Sequence, residues 1–159
     1  MTQPPATEKP RALRTILSAG LLAGVYDITY VFIYYPQADP LGILRGIAAG
    51  LLGPEARKGG DGTAALGLAC HFAIALGAAA VFYAASRRLP VLLRRPVVSG
   101  LLFGVVVWLF MNLVVLPLSA NPPERFPPAN WIPILAAHLV CVGLPISFTV
   151  RRACAGPRV

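Results

Sequence analysis

Charged residues are scarce in this sequence, in which Asp, Glu, Lys and Arg together make up 13% of the 159 residues. Soluble domains are usually about a quarter charged, so the scarcity argues against an ordinary soluble domain. Hydrophobic residues account for 57% of the chain, and the charged residues cluster between long uncharged runs. The composition therefore predicts a multi-pass membrane protein that folds as one domain.

Acidic residues are the rarer charged type, six against 14 basic ones, and the net charge is +8. The basic residues stand in short runs beside apolar segments, which is typical of topology determinants that also contact anionic lipid headgroups. We therefore expect the lipid bilayer as a partner and no nucleic acid. The sequence leaves open whether the chain also forms a homo-oligomer or binds another membrane protein.

Cysteine is limited to three residues, Cys70, Cys141 and Cys154. Their spacing fits neither a disulfide framework nor a zinc ribbon, so we expect all three to be reduced. No serine or cysteine stands beside a base that would activate it as a nucleophile. The sequence therefore does not predict an enzyme.

Four stretches contain the roughly 20 mostly apolar residues that a spanning helix needs. Each ends at a proline or an arginine pair, and they cover residues 15–35, 64–85, 97–116 and 131–150. The pattern predicts an all-α fold, a bundle of four transmembrane helices built from two hairpins. We expect a disordered N-terminal tail over residues 1–14, a membrane domain over 15–152 and a second tail over 153–159.

The basic residues also predict an orientation. Ten of the 14 lie in the two tails and the connection between the second and third spans, and four lie in the other two connections. Lys and Arg are enriched on the cytoplasmic side of membrane proteins. We therefore expect both termini in the cytoplasm, and a bacterial inner membrane as the location.

The first outer connection contains a second kind of apolar segment, "LGILRGIAAGLLG", over residues 41–53. Its apolar residues recur at helical spacing, but it is too short to cross a bilayer. Gly42, Gly46 and Gly50 form a separate stripe that would admit close backbone contact. The segment predicts a short interfacial helix, and a re-entrant helix that lines a pore is the alternative.

A short internal repeat supports the two hairpins. "GLLAGV" at Gly20 recurs as "GLLFGV" at Gly100, and "LACH" ending at His71 recurs as "LAAH" ending at His138. Small residues mark helix contact surfaces in lipid. The predicted helix-packing residues are Gly20, Gly24, Gly67, Gly100 and Gly104.

Each span carries one strongly polar residue near its middle, and these are Asp27, His71, Asn112 and His138. Counted at 1.5 Å per residue from the outer end of each helix, they lie about 6 to 12 Å below the outer boundary. A carboxylate facing lipid is costly, so Asp27 should point into the bundle. We expect it to lie within hydrogen-bond reach of a histidine, directly or through a water.

Several roles fit this polar layer. The simplest is hydrogen-bond glue between helices in a structural or accessory membrane protein. A solute or proton path is the second, because an Asp–His pair can relay protons. A b-type haem held by His71 and His138, or a metal held by those two and Asp27, are the others. We expect no catalytic residues, resident metal or cofactor.

The runs "GLLAGVYDITYVF", "GILRGIAAGLLG", "TAALGLACHFAIA", "ASRRLPVLLRRP" and "MNLVVLPLS" cover much of the chain. Together they resemble a group of small four-helix bacterial inner-membrane proteins of unassigned activity. The resemblance spans residues 16–152 and implies topology alone.

Overall fold

The computed structural model describes residues 8–123, 126–127 and 131–155, with side chains from Arg11 onward. These residues form helices and turns, and none of them belongs to a strand. Four helices are long and apolar enough to cross a membrane, and they cover Arg11–Tyr34, Asp61–Arg88, Pro96–Val115 and Trp131–Ala155. The predicted all-α fold with four spanning helices is confirmed.

The first spanning helix, α1, runs from Glu8 to Tyr34. Residues 8–14, which we assigned to the tail, therefore continue the helix. Arg11 near its start donates a hydrogen bond to the carbonyl of Ala153 in the last helix. The two ends of the described chain thus lie together, at what we call the terminal end of the bundle. Residues 153–155 of the predicted second tail belong to the last helix. The rest of the predicted tails, residues 1–7 and 156–159, lie outside the described residues.

The short helix α2 runs from Pro40 to Leu52 in the first connection, as predicted. Asp39 begins it, because its carboxylate accepts hydrogen bonds from the backbone amides of Leu41 and Gly42 at 3.2 and 3.0 Å, and Pro40 provides a backbone already set for a first helical turn. Gly53 then ends α2 with a φ of 86°, a conformation that favours glycine. This end of the bundle is called the α2 end below.

A 3₁₀ turn at Pro54–Lys58 follows α2, and the described residues after it form five further α-helices. The second span is α3, Asp61–Arg88, and the short α4, Val91–Arg94, connects it to α5, Pro96–Phe110. A π-helical turn, Met111–Val115, extends α5. The fourth span consists of α6, Trp131–Ala137, a second π-helical turn, His138–Gly143, and α7, Leu144–Ala155.

Both π-helical turns lie close to a proline. Pro117 follows the first turn by two residues, and Pro145 follows the second by two residues. Proline lacks a backbone N–H and clashes with the preceding turn of an α-helix, so the hydrogen-bond pattern must change nearby. The sequence predicts a kink at Pro145, and the structure accommodates this proline with the wider turn before it.

The spanning helices are arranged as an open row. α1 packs against α3 on one side and against the fourth span on the other, and α5 packs against the far side of the fourth span. Within the described residues, the backbones of α3 and α5 make few close approaches. The rings of Phe82 on α3 and Phe103 on α5 meet edge to face, with centroids 5.0 Å apart. The core of Ala23, Phe82, Ile146 and Val150 therefore lies around α1, α3 and α7, toward the terminal end.

The repeated glycines lie at close helix contacts. A Cβ built on Gly20 or Gly24 would come within 2.8 or 2.7 Å of α3 side chains, Leu76 and Phe72. In the second hairpin, a Cβ on Gly100 or Gly104 would come within 2.9 or 2.6 Å of backbone atoms in the π-helical turn. In each hairpin, the glycine pair of the first helix thus allows the histidine-bearing helix to pack closely against it.

The contact between α2 and α3 does not use the glycine stripe of α2, for which we predict close backbone contact. Gly67 of α3 provides it, because a Cβ there would lie 1.9 Å from the carbonyl oxygen of Leu44. The glycine stripe of α2 faces side chains and a cavity instead. Leu44 and Ala48 form the buried face of α2, so the glycines lie beside this contact and not within it.

Candidate functional site

A cavity of about 230 Å³ lies between α1, α2, α3, α5 and the fourth span. Its polar lining residues are Asp27, His71 and His138, one from each of three spanning helices, and its other lining residues are apolar. Three of the four residues of the predicted polar layer therefore line a single space.

Asn112 does not line this cavity. It is buried, with 6% of its surface exposed, and its side-chain amide donates to the carbonyl of Trp108 one turn earlier, at 2.9 Å. Its neighbour Met111 faces the cavity instead. Counting residues gives the depth of Asn112 but not its direction, because the π-helical turn begins here and alters the angular spacing of side chains.

Asp27 lies in the last third of α1, partly exposed, with its side chain bordering the cavity. Within the described parts of the chain, no hydrogen bond or ion pair involves it. No direct hydrogen bond joins Asp27 to His71 or His138. A carboxyl group deep in a bundle without a protein partner is costly unless something in the cavity pairs with it.

His71 joins two helices. Its Nε2 lies 2.9 Å from the carbonyl oxygen of Gly24 on α1. A carbonyl oxygen can only accept, so Nε2 must carry the hydrogen of this bond. In the neutral ring, Nδ1 is then an acceptor without a proton.

His138 has the reverse arrangement. Its Nδ1 lies 2.8 Å from the carbonyl oxygen of Ile134, four residues earlier in its own helix. Nδ1 therefore carries the hydrogen, and Nε2 is the acceptor in the neutral ring. The two imidazoles thus bond to the backbone through different nitrogens, although they occupy matching places in the repeat.

With both rings neutral, the two remaining ring nitrogens are hydrogen-bond acceptors, as is the carboxyl of Asp27. One carboxylate and two basic ring nitrogens are suited to a cation or to a ligand rich in N–H groups. Among the described residues, no three His, Cys, Asp or Glu side chains converge closely enough to hold a metal ion. The cavity is also smaller than the roughly 300 Å³ at which sites for drug-sized ligands begin, so its volume does not favour haem.

A larger cavity of about 770 Å³ lies at the α2 end. The glycines of α2 line one side, and α3 and the end of α5 line the other. It shares Ile43, Ile47, Ile74 and Met111 with the polar cavity, so these four apolar side chains lie between the two spaces. The sequence did not predict this larger cavity, although the glycine stripe of α2 was a signal for it.

Four apolar spanning helices define the chain as a multi-pass membrane protein. Comparison with protein-family models, with curated proteins and with solved structures found no match. The cavity and its three polar residues are therefore the basis for a function.

Proposed function

We propose that this protein is a small membrane transport protein whose binding site for a cationic, hydrogen-bond-donating solute is the polar cavity around Asp27. The observation that carries the proposal is the carboxyl of Asp27, which borders the cavity and has no hydrogen bond within the described chain. A protonated primary amine has one positive charge and three N–H donors. Asp27, His71 and His138 supply one carboxylate and two neutral acceptors for it.

The contacts in the polar layer favour binding over glue. Glue between helices requires hydrogen bonds that cross from one helix to another, and His71 makes such a bond to Gly24. Asn112 and His138 make hydrogen bonds within their own helices. Asp27 makes no hydrogen bond to its own helix or to another one among the described residues. His71 thus has a structural role in addition to lining the cavity, whereas Asp27 is left for a ligand.

Access to the cavity differs between its two ends. The 770 Å³ space leads toward it from the α2 end. Toward the terminal end, fully buried Phe82, Ile146 and Val150 fill the interior, and Gly100 packs directly against the fourth span. In this arrangement a solute would enter from the α2 end, with the four shared apolar side chains as the barrier it passes.

We further propose a bacterial inner membrane as the location, with both termini in the cytoplasm. Exposed arginines at the terminal end support this orientation, and they include Arg11, Arg14, Arg88, Arg94, Arg95, Arg151 and Arg152. The α2 end would then face the outside, and transport would begin there.

The proposal is tested by Asp27→Asn. Binding of butylamine to the protein in lipid nanodiscs would be measured by calorimetry, and we expect the variant to bind about tenfold more weakly or worse, a loss of about 1.4 kcal/mol or more. Asn retains hydrogen-bonding capacity, so thermal unfolding should change little. Glu55→Gln, at an exposed carboxylate near α2, is the control and should bind like the parent. Equal binding by Asp27→Asn would contradict the proposal.

A further inference from the structure

The open side of the helix row contains a groove between α3 and α5. It encloses about 400 Å³, and all of its lining residues are apolar. It lies where the backbones of α3 and α5 stay apart, and the rings of Phe82 and Phe103 meet edge to face at its terminal end, with centroids 5.0 Å apart. Val81 of α3 and Val106 and Phe110 of α5 border it and are largely exposed, so in a bilayer the groove faces the lipid chains.

The groove adjoins the polar cavity. Ile74, Ala78, Val107 and Met111 line both spaces. Along α3 the groove extends from Ile74 to Val81, a distance of roughly 10 Å at 1.5 Å per residue. A polar chamber thus adjoins an apolar groove that begins near the midpoint of α3 and extends toward the terminal end.

The small size of the polar cavity supports a ligand with two parts, a compact polar head and an apolar chain. At about 230 Å³ the polar cavity has room for a compact head, and the groove adds room for a chain. Gly77 widens the groove at its centre, since a Cβ built there would meet no atom within 4 Å. In this respect Gly77 differs from the glycines at helix contacts, where a Cβ would collide with a neighbour.

We propose that the ligand is a single-chain amphiphile with a primary ammonium head, which enters sideways from the lipid between α3 and α5. The head pairs with Asp27 and the two imidazoles, and the hydrocarbon chain occupies the groove past Gly77. This inference rests on the proposed function for the head, adds the chain, and replaces entry from the α2 end with the lateral route. Charge complementarity selects an amine over a carboxylic acid, because Asp27 would repel an anion.

Photocrosslinking tests the proposal. Dodecylamine with a diazirine at the end of its chain would be added to the protein in nanodiscs, and mass spectrometry would locate the labelled residues. We expect labels concentrated at Val81, Phe103 and Val106, competed by unlabelled dodecylamine. A dodecanoic acid with the same diazirine should label the groove at least about fivefold less.

Gly77→Leu provides the decisive variant, because a Cβ there meets no atom within 4 Å and the rest of the side chain would occupy the groove. It should reduce groove labelling at least about fivefold and leave butylamine binding unchanged. Ala84→Leu is the matched control on an exposed position of α3 outside the groove, and it should label like the parent. Labels spread evenly over the lipid-facing surface, or unaffected by Gly77→Leu, would overturn the lateral route while butylamine binding still supported the proposed function. If the parent protein did not bind butylamine, the proposed function itself would be refuted.

Discussion

At Gly143 the backbone of the fourth span comes so close to α5 that no side chain fits between them. A Cβ there would lie 2.0 Å from the carbonyl oxygen of Gly100, and the same test at Gly67 gives 1.9 Å to the carbonyl oxygen of Leu44. Helices in lipid associate through such close packing, because burial of apolar surface gives little advantage there. Single glycines therefore set the helix spacing on which the cavity depends.

We expect Gly143→Ala and Gly67→Ala each to destabilise the protein by about 1–3 kcal/mol, because the added methyl group overpacks a backbone contact. Gly77→Ala is the matched control and should be neutral or stabilising, since it meets no neighbour and alanine favours helix. Thermal unfolding in detergent, followed by circular dichroism, measures all three. Equal melting temperatures for Gly143→Ala and Gly77→Ala would contradict the packing argument.

Residue counting locates polar groups by depth, and its limit appears at Asn112. The sequence predicts this residue in the layer with Asp27, His71 and His138, because depth follows from the number of residues to the end of each span. Direction depends on an unbroken helical period, which the turn at Met111–Val115 interrupts. The asparagine therefore bonds to its own helix, and the sequence alone contains no measure of that rotation.

Among the elements, α2 controls the space outside the polar cavity. Its buried face packs on α3, and the backbone amide of Ala120 donates to the carbonyl of Gly50 at 2.8 Å. A Cβ built on Gly50 would lie 3.8 Å from the Cβ of Ser119. These contacts join α2 to the segment that follows α5, across the mouth of the larger cavity.

We expect Gly50→Cys combined with Ser119→Cys to form a disulfide, because Cβ atoms about 3.8 Å apart match the mean for such bonds. Mild oxidation followed by digestion and non-reducing mass spectrometry would detect the linked peptides. Gly62→Cys with Ser119→Cys is the control, since a Cβ on Gly62 meets no atom within 4 Å, and it should remain unlinked. If the Gly50→Cys, Ser119→Cys double variant formed no link under conditions that oxidise other protein thiols, α2 would have to lie elsewhere.

The elements differ in how far the sequence predicts them. Arginine pairs and prolines mark the ends of the spans, and the short apolar run after Asp39 predicts α2, because these signals are local. The order of helices across the row depends on which small residues meet, and many faces of these helices carry alanine and glycine. The gap between α3 and α5 therefore could not be predicted from periodicity.

At the scale of the whole molecule, the terminal end carries most of the described arginines, and the charge bias predicts that this end is cytoplasmic. Reporter fusions after Val159 and within the connection at Gly60 test this orientation. Val159 lies outside the described residues, and the described chain ends at the terminal end. The fusion after Val159 should report the cytoplasm and the one at Gly60 the opposite side. Both reporters on the same side would contradict four spans.

The short connection between α3 and α5 also limits how the open side can move. Residues 89–95 connect the two helices at the terminal end, and seven residues reach at most about 24 Å when extended. At the α2 end, no equally short connection joins the same two helices, since α3 continues to α2 and α5 continues to the fourth span. Any separation of α3 from α5 would therefore pivot near α4. The gap would be widest toward the α2 end.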